Sequence, residues 1–235
     1  MKLPSVIAID GPAAAGKTTL AMRLADHLDY LYFDTGVMYR AATLAALRRD
    51  LDIDDETTIV DLVFTLDIDV RSPDSDSDGP MVVLLDGEDV SAELRSREVD
   101  QNVSKTAAYQ QVRAQMVDRQ RIIGLRSPVV MVGRDIGTVV LPDADLKLYV
   151  VASVEERARR RHTELLRKGR SDSYESVLEA MIRRDKIDAE REHGPMRAAE
   201  NARVVDTTGL SADQVFEIAV QHVMDASQPE VENGS

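Results

Sequence analysis

Residues 5–20 read Ser-Val-Ile-Ala-Ile-Asp-Gly-Pro-Ala-Ala-Ala-Gly-Lys-Thr-Thr-Leu. Val6 to Ile9 form a short apolar run, the pattern of a buried strand. Asp10-Gly11-Pro12 breaks strand and helix alike. Gly11, Gly16, Lys17 and Thr18 fit G-x-x-x-x-G-K-[ST], the P-loop pattern. Leu20, Leu24 and Leu28 then recur at i, i+4 and i+8, which predicts a helix. The motif therefore lies in the strand–loop–helix setting that phosphate binding requires.

Each residue type has a chemical reason. Glycines let the backbone turn and approach a phosphate with no Cβ in the way. Successive amides and the positive end of the next helix form an anion nest. Lys17 supplies a mobile ammonium for the β/γ-phosphates, and Thr18 a hydroxyl for Mg²⁺. The ATP-binding set predicted here is Gly11, Pro12, Ala13, Ala14, Ala15, Gly16, Lys17, Thr18 and Thr19, with Arg157 from the basic cluster further along the chain. The alanines are small enough to leave the nest open.

Outward from this stretch, short apolar runs alternate with helical patterns. Leu31–Phe33, Pro128–Val132, Leu146–Val151 and Arg203–Val205 read as further strands. Helices are predicted from Val37 to about Arg49 and from about Thr58 to Leu66. Residues 93–125 are read as helical in two pieces that part near Tyr109. Three more helices are predicted: one from Ser153, one from about Tyr174 to His193, and one from Ser211 to about Met224. Five strands alternating with helices predict an α/β fold, a parallel sheet covered on both faces. Between Leu66 and Val90 the rhythm is interrupted by two strands, an exposed loop and an Asp86-Gly87 turn, read as an inserted β piece. The expected organisation is a core of 1–65 and 92–226, an insertion at 66–91 and a polar, disordered tail at 227–235. Ligands of such sheets bind beyond the carboxyl ends of the strands. Gly11, Asp34, Asp135 and the 206–209 loop are expected to share that face.

Composition narrows the function. In 235 residues there is no cysteine, which removes disulfides, Cys-ligated metals and thiol catalysis, and suits a reducing cytoplasm. No apolar stretch is long enough for a membrane span. The net charge of −13 argues against a nucleic-acid partner. Against that background Arg157, Arg159, Arg160, Arg161, Arg167, Lys168 and Arg170 stand with a single acid, Glu164. Such a local cluster suits a small phosphorylated ligand.

Taken together, the P-loop, Asp34-Thr35-Gly36-Val37-Met38-Tyr39-Arg40, Gly133-Arg134-Asp135-Ile136-Gly137-Thr138-Val139-Val140, Glu156-Arg157-Ala158-Arg159-Arg160-Arg161 and Arg184-Asp185 resemble the bacterial cytidylate kinases. The resemblance runs from about residue 5 to 224, and Gly-Arg-Asp-Ile-Gly-Thr is its most specific part. It implies a P-loop NTPase-type sheet, a small β-rich insertion beside the monophosphate site and a helical lid at about 153–175. It also implies transfer of the γ-phosphoryl of ATP to CMP or dCMP, with Mg²⁺, in a cytoplasmic enzyme read as a monomer. The Ala-rich P-loop departs from relatives that carry more Gly or Ser there.

The chain offers arginines and one P-loop lysine and lacks a Ser/His/Asp or Cys/His set. That is what phosphoryl transfer needs: positioning and charge neutralisation, not a nucleophile. The resemblance puts Arg40 and Arg134 on the CMP phosphate, and Asp135 with Ser104 and Arg113 around the base. Thr35 belongs to the same CMP set. A carboxylate accepts from the cytosine amine, which uracil lacks, although Asp135 also fits a Mg²⁺-bound water or a plain cap. Arg184, Asp188 and Arg191 share one helix face. Spacing alone fits a solvated ion-pair ladder, and the resemblance gives Arg184 and Asp188 the sugar and Arg191 the phosphate. Arg157 and Arg161 stack at i, i+4 and are read as a flap over ATP, with a solvated face as the plain alternative. The catalytic set is thus Lys17, Arg134, Arg157, Arg161 and Arg191. Another small-molecule P-loop kinase, such as a UMP/CMP kinase, is the nearest rival. A GTPase-type switch is the rival of another class: Asp206-Thr207-Thr208-Gly209 matches D-x-x-G, but no N-K-x-D follows, and 206–209 is read as a loop near the adenine.

Overall fold

A computed structural model describes residues 2–74, 79–190 and 194–227. Its parallel sheet has the strand order β2-β6-β1-β7-β8. β1 is Val6–Asp10, β2 Leu31–Asp34, β6 Val129–Val132, β7 Leu146–Val151 and β8 Arg203–Asp206. A separate antiparallel sheet contains β3 (Ile68–Arg71), β4 (Val82–Leu85) and β5 (Glu88–Asp89). The helices are α1 (Lys17–Leu28), α2 (Gly36–Arg48), α3 (Glu56–Thr65), α4 (Arg97–Thr106), α5 (Gln110–Gly124), α6 (Val154–Arg167), α7 (Tyr174–Ala189) and α8 (Ala212–Ala226). The predicted α/β class with five parallel strands is therefore the observed one.

The chain divides into two compact units, Met1–Asp29 with Val132–Ser235, and Tyr30–Met131. In the first unit β1 lies parallel to β7, with Ile7 opposite Leu146 and Asp10 opposite Tyr149. β7 in turn pairs in parallel with β8. Ile7, Ala8 and Ile9 are fully buried, as expected of a strand covered on both faces. Serine caps set the helix starts here. Ser153, Ser173 and Ser211 accept the amides of Glu156, Ser176 and Gln214. Each satisfies an amide that the helix itself leaves orphaned. Gln214 also bonds back to the Ser211 amide, completing a capping box.

In the second unit α2 buries a nearly continuous run of small and apolar residues from Val37 to Ala46. Thr43 and Thr106 meet hydroxyl to hydroxyl at 3.0 Å and join α2 to α4. The predicted break between the two helical pieces falls where expected: α4 ends at Thr106, and Tyr109 precedes α5. Asp55 caps α3, and Arg119 on α5 donates to the Val63 carbonyl of α3. The inserted strands pair in register, Ile68 opposite Leu85 and Arg71 opposite Val82. Asp86 closes the hairpin in a left-handed conformation. The expected exposed loop between β3 and β4 lies partly, and the expected tail almost wholly, outside the described residues.

Candidate active site

The P-loop needs its glycines for two separate reasons. Gly11 has φ +139°, and a Cβ there would lie 2.0 Å from the Val150 carbonyl oxygen of β7. No side chain fits that gap. Gly16 caps α1 in the left-handed region at φ 96°, where a Cβ is penalised. Ala14 also adopts a left-handed φ of 60°. Its methyl and that of Ala13 rest against the apolar cluster of Ala158, Leu165, Val177 and Met181 from α6 and α7. The Lys17 ammonium donates to the Pro12 carbonyl at 2.7 Å, spanning the loop. Thr18 and Thr19 are exposed in the first turn of α1.

Around the loop the first unit gathers a bonded set of charges. Arg157 is buried. Its guanidinium holds Asp185 of α7 through both nitrogens, at 3.1 and 2.6 Å, and donates to the Ala152 and Ala13 carbonyls. Bidentate geometry of this kind fixes the fork and not merely the charge. Arg160 donates to the Thr207 hydroxyl and carbonyl, and the Thr207 hydroxyl donates to Ala15. α6 and the loop after β8 are thereby tied to the P-loop. Arg134 pairs with the buried Asp188 of α7, and Arg184 approaches the same carboxylate at 4.0 Å. Asp135 is buried at the start of a π-helical turn, Ile136–Val140.

Two carboxylates here are pulled in opposite directions. Burial pushes the Asp10 carboxyl up to about 6, against the pull of the Gly137 and Ile136 amides. Arg159 and Arg160 draw Glu156 down to about 2.

The i, i+4 pair Arg157 and Arg161 separates in character. Arg157 is buried, whereas the half-exposed Arg161 turns to Glu164 at 2.8 Å. Arg170 is exposed and bonds Asp172. Arg191 lies outside the described residues, as does the end of the helix expected to reach His193; α7 ends at Ala189.

The second unit holds the remaining expected residues. Arg40 on α2 donates to Asp100 at 2.6 Å and to the Leu94 carbonyl at 3.0 Å. Arg113 of α5 stands 6.0 Å from the Tyr39 ring centre, within reach of a cation–π contact. Thr35 is buried just before α2, and Ser104 is exposed on α4. No group of three or more His, Cys, Asp or Glu side chains that could hold a metal occurs among the described residues. Among the described residues no helix is long and apolar enough to cross a membrane.

The sequence singles out neither Asp10 nor Asp185 for a role of its own, and it places Arg160 only in the basic cluster and Thr207 only in the 206–209 loop read near the adenine. An acid ending a fully apolar strand was the available signal for Asp10. Asp185 follows Arg184 directly, but which arginine it serves depends on how α6 and α7 pack.

Comparison with known proteins bears on the whole chain. The family model described as Cytidylate kinase matches residues 7–225. A cytidylate kinase of Bacillus velezensis is 48% identical over 220 residues, covering 92% of this chain and 96% of its own length. One from Chloroflexus aggregans is 47% identical over 234 residues, with each chain fully covered. Among solved structures, an uncharacterized protein from Eubacterium ventriosum has a TM-score of 0.51 at 11% identity, covering 94% of this chain and 98% of its own. That likeness concerns the fold alone.

Proposed function

Because the chain belongs to the cytidylate kinase family, we propose that it transfers the γ-phosphoryl of ATP to CMP or dCMP, giving CDP or dCDP and ADP. The observation that most supports this is the bonded path within one unit. It runs from the P-loop through Arg157 to Asp185 on α7, whose Asp188 pairs with Arg134 beside Asp135.

In this reading Gly11 to Thr19 hold the ATP phosphates. Lys17 leaves the Pro12 carbonyl for the β/γ-phosphates, and Arg134, Arg157, Arg161 and Arg191 neutralise charge as the phosphoryl group moves. The exposed Thr18 hydroxyl suits Mg²⁺, which takes one or two protein ligands and fills its remaining positions with water and phosphate oxygens. The metal supplies further neutralisation of the transferring phosphoryl. Thr35, Arg40, Ser104, Arg113, Arg134, Asp135, Arg184, Asp188 and Arg191 hold the acceptor. Segments 153–175 act as a lid and 66–91 as part of the monophosphate-binding region. The acidic, cysteine-free chain suits a cytoplasmic monomer acting on small nucleotides, not on nucleic acid.

Base choice carries the test. An ionised carboxylate only accepts hydrogen bonds. Facing the uracil carbonyl, Asp135 would set a buried charge against lone pairs, with no amine there to donate to it. A site of this design rejects the wrong acceptor by up to ~10⁴-fold. kcat/KM is to be measured for CMP, dCMP, UMP and AMP by ADP release. CMP and dCMP should lead, and Asp135→Ala should collapse the CMP/UMP ratio. A wild-type preference for another acceptor would overturn the assignment. An unchanged ratio, with both acceptors impaired alike, would move base selection away from Asp135.

A further inference from the structure

Arg134 and Asp135 stand on the short stretch between β6 and the π-helical turn. The turn closes on its own backbone later on, with Val139 and Val140 donating to the Asp135 carbonyl and Leu141 to Ile136. Its first amides, Ile136 and Gly137, have no such partner within the turn. Both donate to the carboxylate of Asp10, at 2.8 and 2.7 Å, one to each oxygen. Asp10 is the last residue of β1 and directly precedes Gly11. It is 4% exposed. Gly11 lies so close to β7 that a Cβ on it would meet the Val150 carbonyl, and this packing locates the strand end. Gly133 also donates to the Ile9 carbonyl. The opposite side is closed too: a Cβ on Gly137 would stand 3.1 Å from the Lys147 stem and 3.4 Å from Asp10.

Resting on the phosphoryl-transfer reading above, we infer that Asp10 is a positioning residue: its two oxygens lock the Ile136 and Gly137 amides and thereby set Arg134 and Asp135 in register with the P-loop. Both bonds are strongest to the ionised carboxylate, whose two oxygens only accept, whereas a neutral carboxyl carries a proton on one of them. The charges facing Asp10 are mixed. Asp135 opposes its ionisation and Lys17 favours it, while Tyr149, opposite it on β7, feels its charge. Such a group is costly to keep in the interior, and its two bonds hold the segment bearing the acceptor-binding residues. Misplacement of reacting groups by about 1 Å costs roughly 10²-fold in rate.

Asp10→Asn is nearly isosteric. It keeps one acceptor and turns an NH₂ towards the other amide. The expected result is a fall of about 10²-fold in kcat/KM for CMP, with KM for ATP within about threefold of wild type and hydrogen exchange of the Ile136 and Gly137 amides accelerated. A merely structural loss would lower the active fraction and leave both KM values unchanged. Equal kcat and equal KM values in the variant would overturn the inference while leaving the kinase reading intact. A wild type without CMP turnover would instead overturn the kinase reading, and the amide exchange would still report on the tether. Should the variant not fold, the wild-type amide resonances serve. Those of Ile136 and Gly137 should be strongly protected from exchange, and amides that exchange at the rate of an open loop would overturn the inference.

Discussion

In the unit formed by Met1–Asp29 and Val132–Ser235, the Arg157 side chain is 5% exposed and clasps Asp185 with both nitrogens. In the unit Tyr30–Met131, Arg48 also clasps two acids, Glu88 and Glu93, but its side chain is 34% exposed and theirs 61% and 49%. The pairs are chemically alike and physically different. At the surface, water and salt screen the attraction, and two long side chains lose freedom to meet. In the interior the desolvation cost is already met by the fold, so removing one partner strands a buried charge. The inner pair therefore keeps a guanidinium aligned next to the P-loop, and the outer one mainly decorates α2 and the hairpin.

The largest break in this contrast should come from Asp185→Ala. It leaves Arg157 buried without its partner, at a cost of ~3–5 kcal/mol; the low end is expected because a quarter of the Asp185 side chain meets water. Urea unfolding of variant and wild type measures it. A loss under 1 kcal/mol would put the inner pair in the same class as the outer one.

Next comes Asp10. Its carboxyl titrates near 3.8 in an unfolded chain and at about 6 in the fold. Between those values the native state holds the extra proton. Its contribution is thus fully present below about pH 4 and is withdrawn as pH rises through 6, a span of about 3 kcal/mol. Asp10→Asn should flatten the stability-against-pH curve in that window, as read by denaturant midpoints from pH 4 to 7. Glu156 has the opposite sign. Held down at about 2 by Arg159 and Arg160, it stabilises above the ordinary glutamate range and loses this as pH falls towards 2. Glu156→Gln should therefore blunt the acid limb of the same curve. The smallest effect belongs to Glu88→Ala, where Arg48 keeps Glu93 and water. Its denaturation midpoint should coincide with wild type, and a clear drop would erase the distinction between the units.

The strand–loop–helix, the alternation of strands with helices and the break near Tyr109 were legible in the sequence because each has a local signature. Glycine, proline and apolar spacing act within a few residues. The site was legible as a set of residue types but not as a set of partners. Arg157 and Arg161 look equivalent at i, i+4, yet one is buried against Asp185 and the other turns to Glu164. Only the packing of α6 on α7 decides between them. Asp10 escaped notice because its partners are backbone amides 126 and 127 positions away. The π-helical turn they belong to has no propensity signature that distinguishes it from an ordinary loop.

The methyls of Ala13 and Ala14 touching the α6–α7 cluster carry a thermal consequence. Moving these helices off the P-loop wets apolar surface, and such exposure raises the heat capacity. Its cost is smallest in the cold and grows on warming towards ordinary temperatures. A P-loop with glycines at those positions would have nothing comparable to expose. The alanines thus make the contact between loop and helices a function of temperature, so that cooling loosens the footing of the P-loop while the charged contacts around it stay in place.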